Sequence, residues 1–215
     1  MSEDKKAWQS IHAHYSKQDW VNKPSIFAEE AIQHFPKGAR ILEIGGGLGQ
    51  DSIFFAQKGF DVTLTDRSVD ALVAAKEKIA NEAKDFKIKT AVLDASTAFP
   101  FKDGEFDVVY AHLSLHYFDT ETTHKIFSEI ARVLKPKGVL AALFNSVDDP
   151  EYGTGEKIEE SYFLIQGVRK RFFSVDALTP FTKAFKPAII DNKGETYKDR
   201  AKGISGLIRF IGNKI

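Results

Sequence analysis

The chain has 215 residues, 43% hydrophobic and 28% charged, which is the balance of a soluble globular protein with room for one substantial domain. Thirty Lys and Arg residues offset thirty Asp and Glu residues, and no dense basic block occurs, which argues against nucleic acid as a partner. Because cysteine is absent and no apolar run approaches the roughly 20 residues of a membrane span, we expect a cytoplasmic protein without disulfides, thiolate metal sites or a membrane partner.

The elements predicted along the chain alternate between strand and helix. Residues 1–38 are expected to form a helical lid or cap segment, with a helix from Ser25 to His34. Further helices are predicted after Ser68, as N-cap, and from Thr120 until Pro136 interrupts the apolar stripe. Between them lie apolar runs typical of strands buried on both faces of a parallel sheet. The predicted strands are 40–44, 61–65, 89–93, 106–110 and 138–144.

The C-terminal part, residues 146–215, begins with a turn-rich linker. It continues with a predicted helix and two strand candidates, at residues 188–190 and 204–211, which we expect to complete the sheet. Repeated strand–helix–strand units predict right-handed crossovers with helices on both faces. We therefore assign residues 39–215 to a single α/β domain.

A glycine-rich turn follows the first predicted strand. The sequence there is Glu43-Ile44-Gly45-Gly46-Gly47-Leu48-Gly49, and a helix follows from about Ser52. Glycine at such a turn allows a ligand to approach the backbone closely, and the amides at a helix start favour negative groups. This strand–turn–helix setting predicts a nucleotide-type binding site.

The spacing of these glycines narrows the choice of nucleotide. A dinucleotide-binding turn requires Gly-x-Gly-x-x-Gly, and counting from Gly45 places Gln50 at the last position. No Gly-Lys-Ser/Thr follows, so the phosphate-loop motif is also absent. Glu43 precedes the glycines, where it would repel a pyrophosphate but not a cationic ammonium or sulfonium group. An NAD-dependent oxidoreductase is therefore disfavoured.

Residues 20–145 resemble the class I S-adenosylmethionine-dependent methyltransferases. Besides the glycine turn, the resemblance rests on Asp66 after the second strand, Asp94 after the third, and the Leu134-Lys135-Pro136-Lys137-Gly138 segment before the fifth. The segment Asn22-Lys23-Pro24-Ser25, ahead of the first strand, also resembles a subset that acts on small molecules, near the tellurite and thiopurine methyltransferases. The resemblance implies a Rossmann-like, doubly wound, mostly parallel seven-stranded sheet and S-adenosylmethionine as cofactor.

The resemblance also implies a set of binding residues. Asp66 is expected to accept both ribose hydroxyls, or otherwise to cap the next helix, while Arg67 lies along the adenine or is simply exposed. Glu43 is expected to meet the cofactor's ammonium, directly or through water, or else to orient the glycine turn. The expected cofactor-binding residues are Tyr15, Glu43, Gly45, Gly46, Gly47, Asp66, Arg67, Asp94, Ala95 and His112.

Residues just beyond the fourth strand are the candidates for catalysis. His116 and Tyr117 are expected to reach the substrate, with His116 as a possible base, whereas Asp107 is interpreted as structural. No metal is expected, because His12 and His14 lack an accompanying carboxylate-rich triad.

The predicted function is methyl transfer to a small-molecule acceptor by direct in-line displacement. The alternative is a non-catalytic protein that binds S-adenosylmethionine as a regulatory ligand or scaffold. RNA or protein acceptors are less consistent with zero net charge. A monomer or homodimer is expected.

Overall fold

The computed structural model describes residues 22–83, 85–196 and 205–215. Its helices are α1 to α5 in chain order, with a short 3₁₀ turn at Ile32–His34 directly after α1. The α-helices are α1 (Ile26–Ala31), α2 (Gln50–Gln57), α3 (Val69–Glu82), α4 (Thr120–Val133) and α5 (Val175–Leu178).

The strands are β1 to β10 in chain order, and seven of them form one sheet within the described residues. The strands are β1 (Arg40–Ile44), β2 (Asp61–Asp66), β3 (Ile88–Val92), β4 (Phe106–His112), β5 (Leu134–Phe144), β6 (Glu156–Glu159), β7 (Tyr162–Ile165), β8 (Val168–Arg171), β9 (Phe185–Glu195) and β10 (Ser205–Lys214). The order in the large sheet is β3-β2-β1-β4-β5-β10-β9.

Strands β3, β2, β1, β4 and β5 run parallel, and β10 runs antiparallel to both of its neighbours. The predicted doubly wound, mostly parallel seven-stranded sheet is therefore confirmed. Its strand order reverses between β1 and β4, and an open α/β sheet binds its ligands outside the carboxyl ends of the strands at such a point. The site is expected at the end of β1.

Apolar side chains cover both faces of this sheet. One cluster packs α4 and α5 against it, including Ile126, Phe127 and Leu178. The other packs α1 and α2 on the opposite face, including Phe27 and Phe55. Within the described residues, helices therefore cover both faces of the sheet.

Several predicted elements have the expected positions. The helix predicted from Ser25 to His34 is confirmed as α1 and its 3₁₀ extension, with Ser25 Oγ accepting from the Ala28 amide at 3.0 Å. Ser68 is the N-cap of α3, since its Oγ accepts from the Ala71 amide at 3.2 Å. Whether residues 1–38 form a separate cap segment stays a prediction.

Two C-terminal predictions need correction. The helix predicted after the linker is largely wrong, because residues 156–171 form the antiparallel sheet β6-β7-β8 and the only helix nearby in the described chain is the four-residue α5. The fifth strand begins at Leu134 rather than Gly138, since the chain enters β5 directly from α4. Lys137 adopts a φ of 62° within β5, which is a local irregularity of that strand.

Candidate active site

The glycine turn connects the end of β1 to α2 through left-handed backbone. Gly45, Gly47 and Gly49 have φ values of 70°, 53° and 79°, a region that residues with a Cβ rarely adopt. The Gly46 amide donates to the Thr65 carbonyl at 2.9 Å, which fixes the turn against β2. The backbone path itself therefore requires glycine at these positions.

Close packing within the protein is a second reason for glycine in this turn. A Cβ at Gly45 would lie 2.5 Å from Ser114 Cβ, and one at Gly46 would collide with Leu64 Cδ1 and lie 2.6 Å from the Glu43 carboxyl carbon. From the sequence, these glycines are expected to allow a ligand to approach the backbone closely. For Gly45 and Gly46, the structure shows that neighbouring side chains of the protein are sufficient to require glycine.

Asp66, at the end of β2, holds the glycine turn. Its Oδ2 accepts from the Gly47 amide at 3.0 Å, and its Oδ1 accepts from the Ser68 amide at 2.8 Å. Ser68, not Asp66, accepts the amide bond that caps α3. A carboxylate offers about four acceptor sites, so these two bonds leave capacity for a ligand.

Glu43 is buried beneath the turn, with its side chain directed to α2. One carboxyl oxygen accepts a short hydrogen bond from Ser52 Oγ. Burial and the negative charges of Asp51 and Asp66 raise the pKa of Glu43 to about 8. Its observed partner thus belongs to the helix after the turn, an arrangement that orients the turn and is one of the two roles anticipated for this residue.

Asp51, in the first turn of α2, forms a buried network to which sequence reasoning assigned no role. Its Oδ1 accepts from the Ser25 amide at 2.7 Å, and its Oδ2 accepts from Ser25 Oγ and Tyr110 Oη, each at 2.8 Å. Burial, followed by the charge of Asp51, raises the pKa of Tyr110. This network joins α1, α2 and β4 directly behind the glycine turn. An aspartate among the apolar residues of α2 was the only signal in the sequence.

The end of β3 lies beside the end of β2. The Leu93 amide donates to the Asp66 carbonyl at 3.0 Å, which places Asp94 and the buried Ala95 at the same sheet edge as Asp66. Burial raises the pKa of Asp94, but hydrogen bonds from Ser96 and the charge of Arg67 outweigh it and hold that pKa below its ordinary value. Asp94 is consequently a half-buried, ionised acceptor.

Two histidines, one at the end of β4 and one just beyond it, have buried nitrogens with no hydrogen-bond partner among the described residues: Nε2 of His112 and Nδ1 of His116. Burial lowers the pKa of His112. Burial and the charges of Lys170 and His112 lower the pKa of His116 to about 3. His116 is therefore neutral near pH 7, and such an imidazole is a poor general base. Its ring centroid lies 4.3 Å from that of Tyr117.

Asp107 has structural contacts at the start of β4. Its carboxylate accepts from the Arg40 amide at 2.9 Å and from Lys135 Nζ at 2.6 Å, which ties β1 and β5 to β4. It lies at the amino end of the strand, away from the glycine turn. These contacts agree with its interpretation as structural.

The structure gathers most of the anticipated residues at the carboxyl ends of β1 to β4. Tyr15 and the histidines at positions 12 and 14 lie outside the described residues. In the described part of the chain, no group of three or more His, Cys, Asp or Glu side chains is arranged to hold a metal ion. Within the same ranges, no helix is long and apolar enough to cross a membrane. The residues brought to this edge are Glu43, Gly45, Gly46, Gly47, Asp66, Arg67, Asp94, Ala95 and His112, with His116 and Tyr117 just beyond β4.

The resemblance to the class I methyltransferases found in the sequence is confirmed by comparison with known proteins. In particular, residues 41–138 match the family described as methyltransferase domain. An uncharacterised methyltransferase of Synechocystis sp., sll0829, is 34% identical over 104 residues, which cover 48% of this chain and 46% of that protein. The chain therefore spans about half the length of this relative.

Solved structures show the same fold. An S-adenosylmethionine-dependent methyltransferase structure from Methanosarcina mazei is 23% identical, covers 86% of this chain and 96% of its own, and superposes with a TM-score of 0.74. TehB from Haemophilus influenzae is 17% identical, covers 88% of this chain and 61% of its own, and has a TM-score of 0.64. The likeness to the tellurite methyltransferase group is thus present at the level of the fold.

Proposed function

We propose that this protein is an S-adenosylmethionine-dependent methyltransferase that acts on a small molecule. The observation that carries the proposal is the glycine turn at the point where the sheet order reverses, with Asp66 and Asp94 at adjacent strand ends. In a class I methyltransferase domain this is the edge at which the nucleoside is recognised, and both carboxylates are half-buried or buried acceptors.

The residues present fit this cofactor. Asp66 would accept from the ribose hydroxyls with the capacity left by its two backbone bonds, and Asp94 with the Ala95 amide would meet the adenine. Arg67 would lie along the ring. The unpartnered Nε2 of His112 is a buried polar atom that a ligand's polar group would satisfy.

Electrostatics favours this cofactor over NAD. The carboxyl groups of Glu43, Asp51 and Asp66 are all buried around the turn, which makes it unfavourable for a pyrophosphate. The carboxylates of Asp51 and Asp66 favour the ammonium and sulfonium of S-adenosylmethionine, whereas Glu43, with its pKa raised to about 8, is neutral near pH 7. Gln50 also replaces the last glycine of the dinucleotide pattern.

The bound cofactor supplies a methyl group already activated by the sulfonium. The chain's own task is to align the acceptor with that methyl group and to exclude water, and orientation of this kind accounts for roughly 7–11 kcal/mol of a barrier. His116 and Tyr117 are the proposed contacts to the acceptor. Because His116 is neutral and weakly basic, we assign it a hydrogen-bonding role rather than proton abstraction.

The expectations about cellular location, assembly and partners are also part of this proposal. We infer a cytoplasmic enzyme, monomeric or homodimeric, with a small-molecule acceptor and no nucleic-acid partner. The zero net charge supports the last point.

Calorimetry tests cofactor choice, with S-adenosylhomocysteine and NAD titrated separately. We expect binding of the first only. Gly47→Val should abolish it, whereas Gly59→Val, also at a left-handed glycine (φ 91°) but in the turn after α2, should cost stability and leave affinity unchanged. Incubation with labelled S-adenosylmethionine and a panel of acceptors then separates an enzyme from a non-catalytic binder. Binding of NAD without S-adenosylhomocysteine would refute the proposal.

A further inference from the structure

The small sheet β6-β7-β8 is attached to the loop that follows β4. The Arg171 amide donates to the His116 carbonyl at 2.7 Å, and Tyr162 Oη donates to the Tyr117 carbonyl at 3.0 Å. The end of β8 therefore lies beside His116, and the start of β7 lies beside Tyr117. Side chains of β8 can line the acceptor site.

Strand β8 carries three consecutive cations, which the alternation of a strand separates. Arg171 is buried, lies over the Tyr162 ring at 4.9 Å, and donates to Glu159 at 2.7 Å and to the Phe118 carbonyl at 3.0 Å. Arg169 is exposed. Lys170, between them, points to the opposite face.

Lys170 directly precedes Arg171, whose amide donates to the His116 carbonyl at 2.7 Å, so that Lys170 lies in the part of β8 beside His116. Its charge is the largest influence on the pKa of His116 after burial. Its ammonium group is held by Glu151 at 2.5 Å, with the Lys170 side chain 22% exposed. An ammonium has three N–H donors, so the bond to Glu151 leaves donors for a ligand.

His116 provides the second half of this arrangement. The residue is 2% exposed, and its Nδ1 has no partner among the residues that the structure describes. A buried unpaired nitrogen of this kind calls for a partner that is absent from the described chain. The adjacent Lys170 makes an anionic partner favourable.

We propose that Lys170 and the neutral imidazole of His116 bind an oxyanion of the acceptor, so that the nucleophile arrives already ionised. This inference rests on the proposed methyltransferase function. The anion's lone pair forms the bond to the methyl carbon, the carbon–sulfur bond breaks with its electrons passing to sulfur, and two neutral centres result. No proton is transferred, which suits a site whose histidine is a poor base. A carboxylate and a metalloid oxyanion share this chemistry.

The test compares paired acceptors on the full chain. Labelled S-adenosylmethionine is supplied with benzoate and benzamide, with further carboxylate and carboxamide pairs, and with selenite and tellurite. We expect methylation of the anions in preference to their neutral counterparts. Comparison of the carboxylates with selenite and tellurite shows which kind of anion the protein accepts. Preference for neutral phenols, amines or amides would overturn the inference while leaving the methyltransferase proposal intact. Absence of S-adenosylhomocysteine binding would instead refute the proposed function itself.

Variants at Lys170 and at its partner Glu151 test the role of the Lys170 ammonium, and a variant at Arg169 is the matched control. Lys170→Met should raise KM for the anionic acceptor about tenfold to a hundredfold, the loss expected for one charge-assisted hydrogen bond, with unchanged affinity for S-adenosylhomocysteine. Arg169→Met, on the neighbouring exposed position, should change KM less than twofold. Lys170→Arg should restore most of the activity, and Glu151→Gln should lower KM by releasing Lys170. Equal effects of the Lys170 and Arg169 variants, or no effect of Glu151→Gln together with an inactive Lys170→Arg, would overturn the inference.

Discussion

Asp66→Ala separates two roles of one carboxylate, the observed bonds to the glycine turn and the proposed bonds to the ribose. The substitution removes the hydrogen bonds to the Gly47 amide at 3.0 Å and the Ser68 amide at 2.8 Å, at a side chain that is buried. Losing bonds to a charged acceptor, each worth about 1.5–3 kcal/mol, should lower the free energy of unfolding by at least about 2 kcal/mol. For a chain of this size that corresponds to a fall in Tm of roughly 4–8 °C.

The same variant should also lose cofactor affinity. If Asp66 accepts from the ribose, S-adenosylhomocysteine binding should weaken by about tenfold to a hundredfold, on top of any loosening of the turn. Ser68→Ala is the matched control, because it removes the cap of α3, costs about 1 kcal/mol and leaves the carboxylate in place.

Calorimetric affinity and thermal melting are measured on both proteins. Asp66→Ala with reduced stability but unchanged affinity, like the control, would show that the carboxylate serves the turn alone and would refute the ribose assignment.

Three further predictions follow from the buried groups around the turn. Gly46→Ala should lower stability by about 1–3 kcal/mol, since the added methyl collides with Leu64, and thermal melting measures it. The pKa of Glu43 is raised in the folded state to about 8, so its contribution is fully present below about pH 4.5 and is lost as pH rises toward 8. Urea unfolding across this range should show that decline, and Glu43→Gln should flatten it. Tyr110→Phe should cost about 1–3 kcal/mol by removing a donor from Asp51, measured in the same way, with little change in cofactor affinity.

The parallel half of the fold was predictable because strands buried on both faces appear as short apolar runs. Ser68 and Thr120 marked helix starts, and the glycine turn marked the site. The sheet β6-β7-β8 was not predicted because Glu156–Glu159 and Val168–Arg171 are rich in charged residues. These two segments form strands because they pair with β7. Edge and ribbon strands of this kind depend on tertiary context more than on propensity.

Contacts between distant residues were the harder part of the site. Asp51 meets Ser25 and Tyr110 across 26 and 59 positions of sequence, and no local pattern indicates such a pairing. The low basicity of His116 has the same origin, because it arises from burial and from Lys170 on a strand that was not predicted. The residue types indicated where the candidate site lies along the chain. The protonation states of its side chains could be inferred only from the folded structure.

The protonation states of the buried groups determine which ligand charge each side of the site favours. On the cofactor side the buried carboxylates of Asp51 and Asp66 favour a cationic ligand and disfavour a further negative charge. On the proposed acceptor side are the neutral imidazole of His116 and the Lys170 ammonium, which is paired with Glu151 and keeps further N–H donors for an anionic ligand. A sulfonium and an oxyanion placed between these two environments attract each other in a setting of low polarity, and their charges cancel as the methyl group moves. Such a site needs alignment and desolvation but no proton acceptor, which is why the weak basicity of His116 is compatible with catalysis.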